Sequence, residues 1–202
     1  MRILLVGASG TLGTAVRGAL SRRHEVVAAS RNGGDVTVDI TDPQSITAMY
    51  QTVGTVDAVA CAAGTVTLKP FAELDREDLE AGIRHKLLGQ VELVRQGVSH
   101  VSATGSFTLI TSVLSHDPVP GSTAAALVSG ALKAFVVAAA IELPHRQRIN
   151  AVSPSVFTTS LPRTAALFPG AKGVLPEQVA QAYVKSVEGA QTGQVYRVEE
   201  QF

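Results

Sequence analysis

The sequence predicts an α/β fold with a doubly wound parallel sheet covered by helices on both faces, and three observations lead there. Short apolar runs alternate along the whole chain with stretches whose apolar residues recur at helical spacing. The first run, residues 3–6, is continuously apolar, as suits a strand buried on both faces. It passes through glycines at 7, 10 and 13 into a helix marked by Leu12, Ala15, Val16, Ala19 and Leu20. Composition agrees: 202 residues, 46% hydrophobic and 17% charged with a formal net charge of +0, are enough for one sizeable domain over 1–202. These values exclude a disordered chain and an overall basic surface for nucleic acid.

The remaining elements follow in order. Residues 24–29 read as a second strand and 35–40 as a third with its own alternation. Asp42-Pro43 opens a helix to about residue 52, with the Asp as cap and the Pro in the first turn. Residues 56–62 form the fourth strand, ending at Gly64. Leu79, Ile83, Leu87, Val91, Val94 and Val98 mark a long amphipathic helix over about 76–98. Residues 105–111 are the fifth strand. The Ala-rich stretch 124–143 is about long enough to span a bilayer, but it contains Ser129, Gly130, Lys133 and Glu142. It reads as a helix buried on most sides by the sheet and by a partner subunit. Residues 148–152 are the sixth strand, 176–188 a helix with Pro near its start, and 194–199 the last strand. Cys61, the only cysteine, has no partner for an internal disulfide. No cleavable leader pattern stands at the N-terminus, so a reducing, cytoplasmic setting is expected. No Cys/His/Asp spacing points to a metal.

Strand, glycine turn and amphipathic helix together open a βαβ unit that binds a dinucleotide, in a Rossmann-like fold. Gly7 permits the tight turn, Gly10 lets a pyrophosphate approach the backbone, and Gly13 lets the helix pack on the strand. Thr11 and Thr14 place hydroxyls near the helix N-terminus, where unpaired N–H groups attract an anion. The spacing is G-x-x-G-x-x-G rather than G-x-G-x-x-G. The second strand ends Ala29-Ser30-Arg31. No carboxylate there awaits a ribose 2′-hydroxyl, whereas Arg31 and the Ser30 hydroxyl suit a 2′-phosphate, so NADP(H) is the expected cofactor.

With these landmarks in order, the chain resembles the short-chain dehydrogenase/reductase family over essentially its whole length. Gly7-Ala8-Ser9-Gly10-Thr11-Leu12-Gly13 looks like the family's cofactor turn. Asp39, followed by Ile40, matches its adenine-contacting Asp. Cys61-Ala62-Ala63-Gly64 sits where the family has Asn-Asn-Ala-Gly. Ile110-Thr111-Ser112 matches the strand that ends in the catalytic Ser. Glu142-Leu143 and Ile149-Asn150-Ala151-Val152-Ser153-Pro154 resemble the stretch before the nicotinamide loop. Ser155 replaces the usual Gly, and Thr159, just past Phe157, falls on the carboxamide-contacting Thr. The resemblance implies a cofactor set of Gly7, Ser9, Gly10, Thr11, Leu12 and Gly13 from the turn. Ser30, Arg31, Asp39, Ile40, Ala62, Ala63, Gly64, Pro154, Phe157 and Thr159 complete it.

The departures fall at the reaction centre. The family's Tyr-x-x-x-Lys lands on Ala125 and Ser129, and the only tyrosines are Tyr50, Tyr183 and Tyr196. Its assisting Asn, in Asn-x-x-Gly, falls on Lys86 of Lys86-Leu87-Leu88-Gly89. What remains is Ser112 to orient a small carbonyl or hydroxyl substrate and Lys86 to donate a proton or stabilise an alkoxide. His116 is a further candidate acid. Ser122, Thr123 and Ser129 are hydroxyls of high pKa that serve as well for capping. Three functions stay open: an NADP(H)-dependent oxidoreductase with a non-standard centre, an NADP(H)-binding sensor or scaffold without turnover, and non-redox chemistry in the same pocket. A homo-oligomer, dimer or tetramer, is expected through the helices at about 76–98 and 124–143, with neither nucleic acid nor membrane as partner.

Overall fold

The computed structural model describes residues 1–199. Seven parallel strands form one sheet in the order β3-β2-β1-β4-β5-β6-β7. They are β1 (Arg2–Val6), β2 (Glu25–Ser30), β3 (Val36–Thr37), β4 (Val56–Cys61), β5 (Val101–Ile110), β6 (Arg148–Pro154) and β7 (Val195–Val198). The chain winds outward in both directions from β1. The crevice beyond the carboxyl ends of β1 and β4 is therefore the topological switch point, where ligands of such sheets bind.

The side-chain period of two in β1 divides the core. Leu4 and Val6 point into one cluster, with Met49 and Tyr50 of α2 (Pro43–Val53), Leu93 of α4 (Gly89–Gly97) and Leu132 of α5 (Thr123–Glu142). Ile3 and Leu5 point into the other, with Val16 and Leu20 of α1 (Thr11–Leu20) and Val179 and Tyr183 of α7 (Pro176–Glu188). The tyrosines are structural. Tyr50 donates its hydroxyl to Leu93 O at 2.6 Å, joining α2 to α4, and Tyr183 donates to Cys61 O at 2.7 Å, joining α7 to the end of β4. Tyr196 donates to Gln191 Oε1 at 3.1 Å.

Four elements depart from the sequence reading. β3 holds only Val36–Thr37 instead of 35–40. Val38 N still donates to Ser30 O at 3.1 Å, but Asp39 then accepts from Thr41 N at 2.9 Å and turns the chain. β5 starts at Val101 rather than 105, because its pairing with β4 jumps from Val56↔Val101 to Ala58↔Ser106. Gly105 stands in the jump, where a Cβ would fall 2.5 Å from Asp57 O. The helix expected over 76–98 is α3 (Arg76–Gly82), a π-helical stretch Ile83–Leu88 and α4. Between β6 and the helix at 176, where the sequence reading named no element, stands a short helix, α6 (Leu161–Thr164).

The Ala-rich helix α5 (Thr123–Glu142) packs on the sheet as expected. Within one chain only one face is buried, through Ala124, Ala125, Val128, Ser129, Leu132 and Val136. Leu127, Val137 and Ile141 are exposed at 48%, 58% and 87%, which leaves an apolar face uncovered. The helix is long and apolar enough to cross a membrane, with a mean hydropathy of 2.0, yet its inner face is part of the sheet's core.

Candidate active site

β1 runs into α1 through the glycine turn. Gly7 has a φ of +84°, and its N–H donates to Ala29 O at 2.8 Å. A Cβ on Gly13 would lie 2.0 Å from Gly7 O, so α1 rests directly on the turn. The N-cap of α1 is Gly10, with no capping side chain, which leaves first-turn N–H groups to an outside acceptor.

The turn opens onto a cleft of about 320 Å³ drawn from four parts of the chain. Gly7, Ser9 and Gly10 come from the turn, Ser30 and Arg31 from the end of β2 and beyond, Asp39 and Ile40 from after β3, and Ala62, Ala63 and Gly64 from after β4. His85 also lines it. Thr41 N–H and hydroxyl bonds, with Arg31 nearby, hold the Asp39 carboxyl below its usual range. Ser30 lines the cleft as expected, and its hydroxyl donates to Gly33 O and Asn32 O within the turn after β2. Arg31 has no carboxylate partner among the described residues and remains the cation at this end.

The other end is built around the close of β5. Lys86, on the π-helical stretch, lays its side chain over Gly64, where a Cβ would meet Lys86 Cγ at 2.9 Å. Its Nζ donates to Thr111 O at 3.3 Å, the carbonyl that adjoins Ser112. Burial pushes the ammonium down to about 8. Gln90, fully buried, clamps this arrangement: Nε2 donates to Lys86 O at 3.1 Å and to Ile110 O at 3.0 Å, while Oε1 accepts from Ile110 N at 2.8 Å. Ser112 Oγ accepts from Leu114 N at 3.2 Å, which leaves its proton to donate elsewhere. Cys61 is an inert neighbour, its thiol pushed up to about 12 by burial.

Ala125 and Ser129 lie on the inner face of α5. Ala125 is buried in an apolar cluster with Val113 and Leu114, and the Ser129 hydroxyl finds no partner among the described residues. His116 is tied up at both nitrogens: Nδ1 faces Lys133 Nζ at 3.2 Å and Nε2 faces Glu199 Oε1 at 2.6 Å. It is therefore not a free acid. Ser122 Oγ is tied to Val119 O at 2.6 Å. Sequence reasoning missed Gln90, although an amide four residues after Lys86, among the apolar positions of a helix, was a readable signal.

Comparison with known proteins agrees with this geometry. A family model described as Enoyl-(Acyl carrier protein) reductase matches residues 11–195. L-xylulose reductase of Mesocricetus auratus is 30% identical over 181 residues, covering 81% of this chain and 74% of that one. The chain belongs to the short-chain dehydrogenase/reductase family. Carbonyl reductase (NADPH) 2 of Sus scrofa is 28% identical, over 84% of this chain and 77% of its own. The crystal structure of the protein lin1944 from Listeria innocua superposes with a TM-score of 0.96 at 47% identity, covering 98% of this chain and 99% of that one.

In this short-chain dehydrogenase/reductase the segment after β6 lies apart from the cleft at the glycine turn. Pro154 is buried at the end of β6. Phe157 bridges to Val174, and Thr158 N donates to Val174 O at 3.1 Å, which folds the segment after β6 back on itself. Thr159, with Thr11, lines a second cleft of about 590 Å³ between α1 and α7. Pro154, Phe157 and Thr159 are thus not among the residues lining the cleft at the glycine turn, and Leu12 is buried under α1.

The depressed Lys86 predicts a pH signature in stability. An unfolded lysine titrates near 10.5 and the native Lys86 near 8, so between these values the unfolded chain carries a proton that the native chain lacks. Stability contributed by this group therefore rises with pH across that window; it falls as pH drops from 10.5 towards 8 and changes little below that. Lys86→Met should be more stable than the parent at pH 7 by about 3 kcal/mol, with the gap closing towards pH 10. Urea unfolding of both proteins across this range checks it, and a gap that does not change with pH would show that the amine is solvated.

Proposed function

We propose that this short-chain dehydrogenase/reductase is an NADP(H)-dependent oxidoreductase acting on a small carbonyl or hydroxyl substrate, with Lys86 and Ser112 at its reaction centre. The observation that carries the reading is the placement of the Lys86 ammonium on the carbonyl adjoining Ser112, with its side chain against Gly64, which lines a cleft suited to a dinucleotide. The cofactor fits: the uncapped N-terminus of α1 suits a pyrophosphate, and Asp39 and Ile40 line the adenosine end. Arg31 suits a 2′-phosphate. Carbonyl reductase (NADPH) 2, among the relatives, is named for the same cofactor. When bound, the nicotinamide supplies the hydride.

The chain's own residues do the rest. Ser112 keeps its hydroxyl proton free and donates it to the substrate oxygen, orienting the carbonyl. Lys86 Nζ uses one proton on Thr111 O and keeps two to offer. With its pKa near 8 it holds a proton at neutral pH and releases it more readily than a solvated lysine. It thus stabilises the developing alkoxide and delivers the proton that the family's tyrosine would. The loss of that tyrosine at Ala125 is the observation that favours the competing reading, a binder without turnover.

We also propose that two copies assemble through the uncovered face of α5. Leu127, Val137 and Ile141 are the apolar residues it exposes, and Leu88 on the π-helical stretch is 50% exposed.

Three measurements follow. NADPH should bind at least tenfold more tightly than NADH by calorimetry, and Arg31→Ala should erase the difference; equal affinities in the parent would refute the assignment. With an accepted substrate, Lys86→Met and Ser112→Ala should each lower turnover by about 10²-fold or more with little change in NADPH affinity. The parent's reduction rate should also fall as pH rises past about 8. Turnover by Lys86→Met at the parental rate would make Lys86 a bystander, and tight NADPH binding with no carbonyl ever reduced would leave the non-catalytic reading. Light scattering at micromolar protein should show a mass of at least twice 21.0 kDa, and a monomer would exclude the α5 interface.

A further inference from the structure

Apart from the two clusters that cover the sheet, the molecule has a third apolar cluster. Val113, Leu114 and Ala125 are its buried members, at 6%, 8% and 5% exposure, and Val66, Val119 and Phe168 pack against them. It is assembled from separate places: Val66 after β4, Val113, Leu114 and Val119 after β5, Ala125 on α5, and Phe168 on the segment between β6 and α7. All but Ala125 lie on connections that leave the carboxyl ends of the strands. Val113 and Leu114 are the two residues after Ser112, and Ala125 stands where the family's tyrosine would.

Polar groups of the same segment are turned away from a ligand. Ser115 Oγ donates to Ser112 O at 2.8 Å, Ser122 Oγ is bonded to both N and O of Val119, and His116 is held between Lys133 and Glu199. A substrate that places its carbonyl on Ser112 and Lys86 therefore presents the rest of itself to hydrocarbon. Each hydroxyl buried there without a partner is unfavourable, whereas a ring or short alkyl body replaces the Phe168 contact in kind.

Resting on the oxidoreductase reading above, we infer that the substrate is a compact apolar carbonyl compound, or the matching alcohol. Its hydrocarbon body lies between Phe168 and the floor made by Val113, Leu114 and Ala125. Phe168 is the specificity-determining residue. A polyhydroxylated substrate, of the kind named for the L-xylulose reductases among the relatives, is discriminated against.

Cyclohexanone and a five-carbon ketose serve as matched probes on the NADPH-loaded protein. The chain contains no tryptophan, so Phe168→Trp provides a single fluorophore at the position in question while keeping an aromatic there. Cyclohexanone should shift its emission in a saturable way, with an affinity at least tenfold higher than that of the ketose. Phe168→Ala should raise the parent's Kd for cyclohexanone, read by calorimetry, by about tenfold, and leave the Kd for NADPH and the unfolding midpoint nearly unchanged. Ketose binding as tight as cyclohexanone binding, or a Phe168→Ala protein that binds cyclohexanone as the parent does, overturns the inference. The two readings fail separately. Cyclohexanone binding that depends on Phe168 without NADPH oxidation supports the apolar site and sinks the redox function. Preferential reduction of the ketose sinks the apolar site and leaves the redox function standing.

Discussion

The contact between Gly13 and the Gly7 carbonyl is the constraint on which the rest of the site depends. With no side chain at either position, α1 lies on the turn that leaves β1, and a Cβ on Gly13 would come to 2.0 Å from Gly7 O. This seating aims the uncapped N-terminus of α1 across the carboxyl ends of β1 and β4. The cleft forms where the winding of the sheet reverses, because the connections on either side of β1 there diverge. Gly7 adds the second condition: its φ of +84° lets the chain reverse while its N–H still bonds to β2 at Ala29 O.

A second constraint acts at the end of β5. A π-helical stretch shifts the backbone bonding by one residue relative to an α-helix. Here the Lys86 carbonyl accepts from Gln90, whose amide also completes the edge of β5 at Ile110. One buried side chain thus fixes the helix that carries Lys86 relative to the strand that ends in Ser112. The same close packing removes water from the Lys86 stem and depresses its pKa. Position and protonation have a common cause, and π-helical stretches recur at functional sites for this kind of reason.

The residues around Ser112 form a consistent set. Ala125 adds to an apolar surface that Val113, Leu114 and Phe168 complete. Ser129, buried on α5, carries a hydroxyl without a partner among the described residues. Lys86, on the π-helical stretch, places a cation on the carbonyl that adjoins Ser112. His116, a candidate acid by its distance from Ser112 in sequence, is held by Lys133 on α5 and Glu199 after β7, three segments brought together only by the fold.

The strands and helices were legible in the sequence because each buries a face, and burial writes a period of two or of 3.6 into the residues. The glycine turn was legible because Gly7 and Gly13 are positions where only glycine fits. The cleft residue Arg31 followed from its place at the end of β2, and Asp39 and Ala63 from the resemblance to the family. Other features carry no periodic signal. β3 stops at Thr37 because the Asp39 side chain bonds locally to Thr41, and the break in 76–98 falls where Lys86 and Gln90 bond to Thr111 and Ile110. The Ser30 hydroxyl bonds within its own turn, because the loop after β2 brings the Gly33 carbonyl back to it. Thr159 lies beside Thr11 and α7 because the chain after β6 folds back on Val174. The sequence by itself determined the sheet, its two covered faces and the dinucleotide turn, since these rest on local pattern and backbone sterics. Only the tertiary structure decided which polar groups are occupied, how deeply Lys86 is buried and what surrounds Ala125, since each depends on residues far apart in the chain meeting at one edge of the sheet.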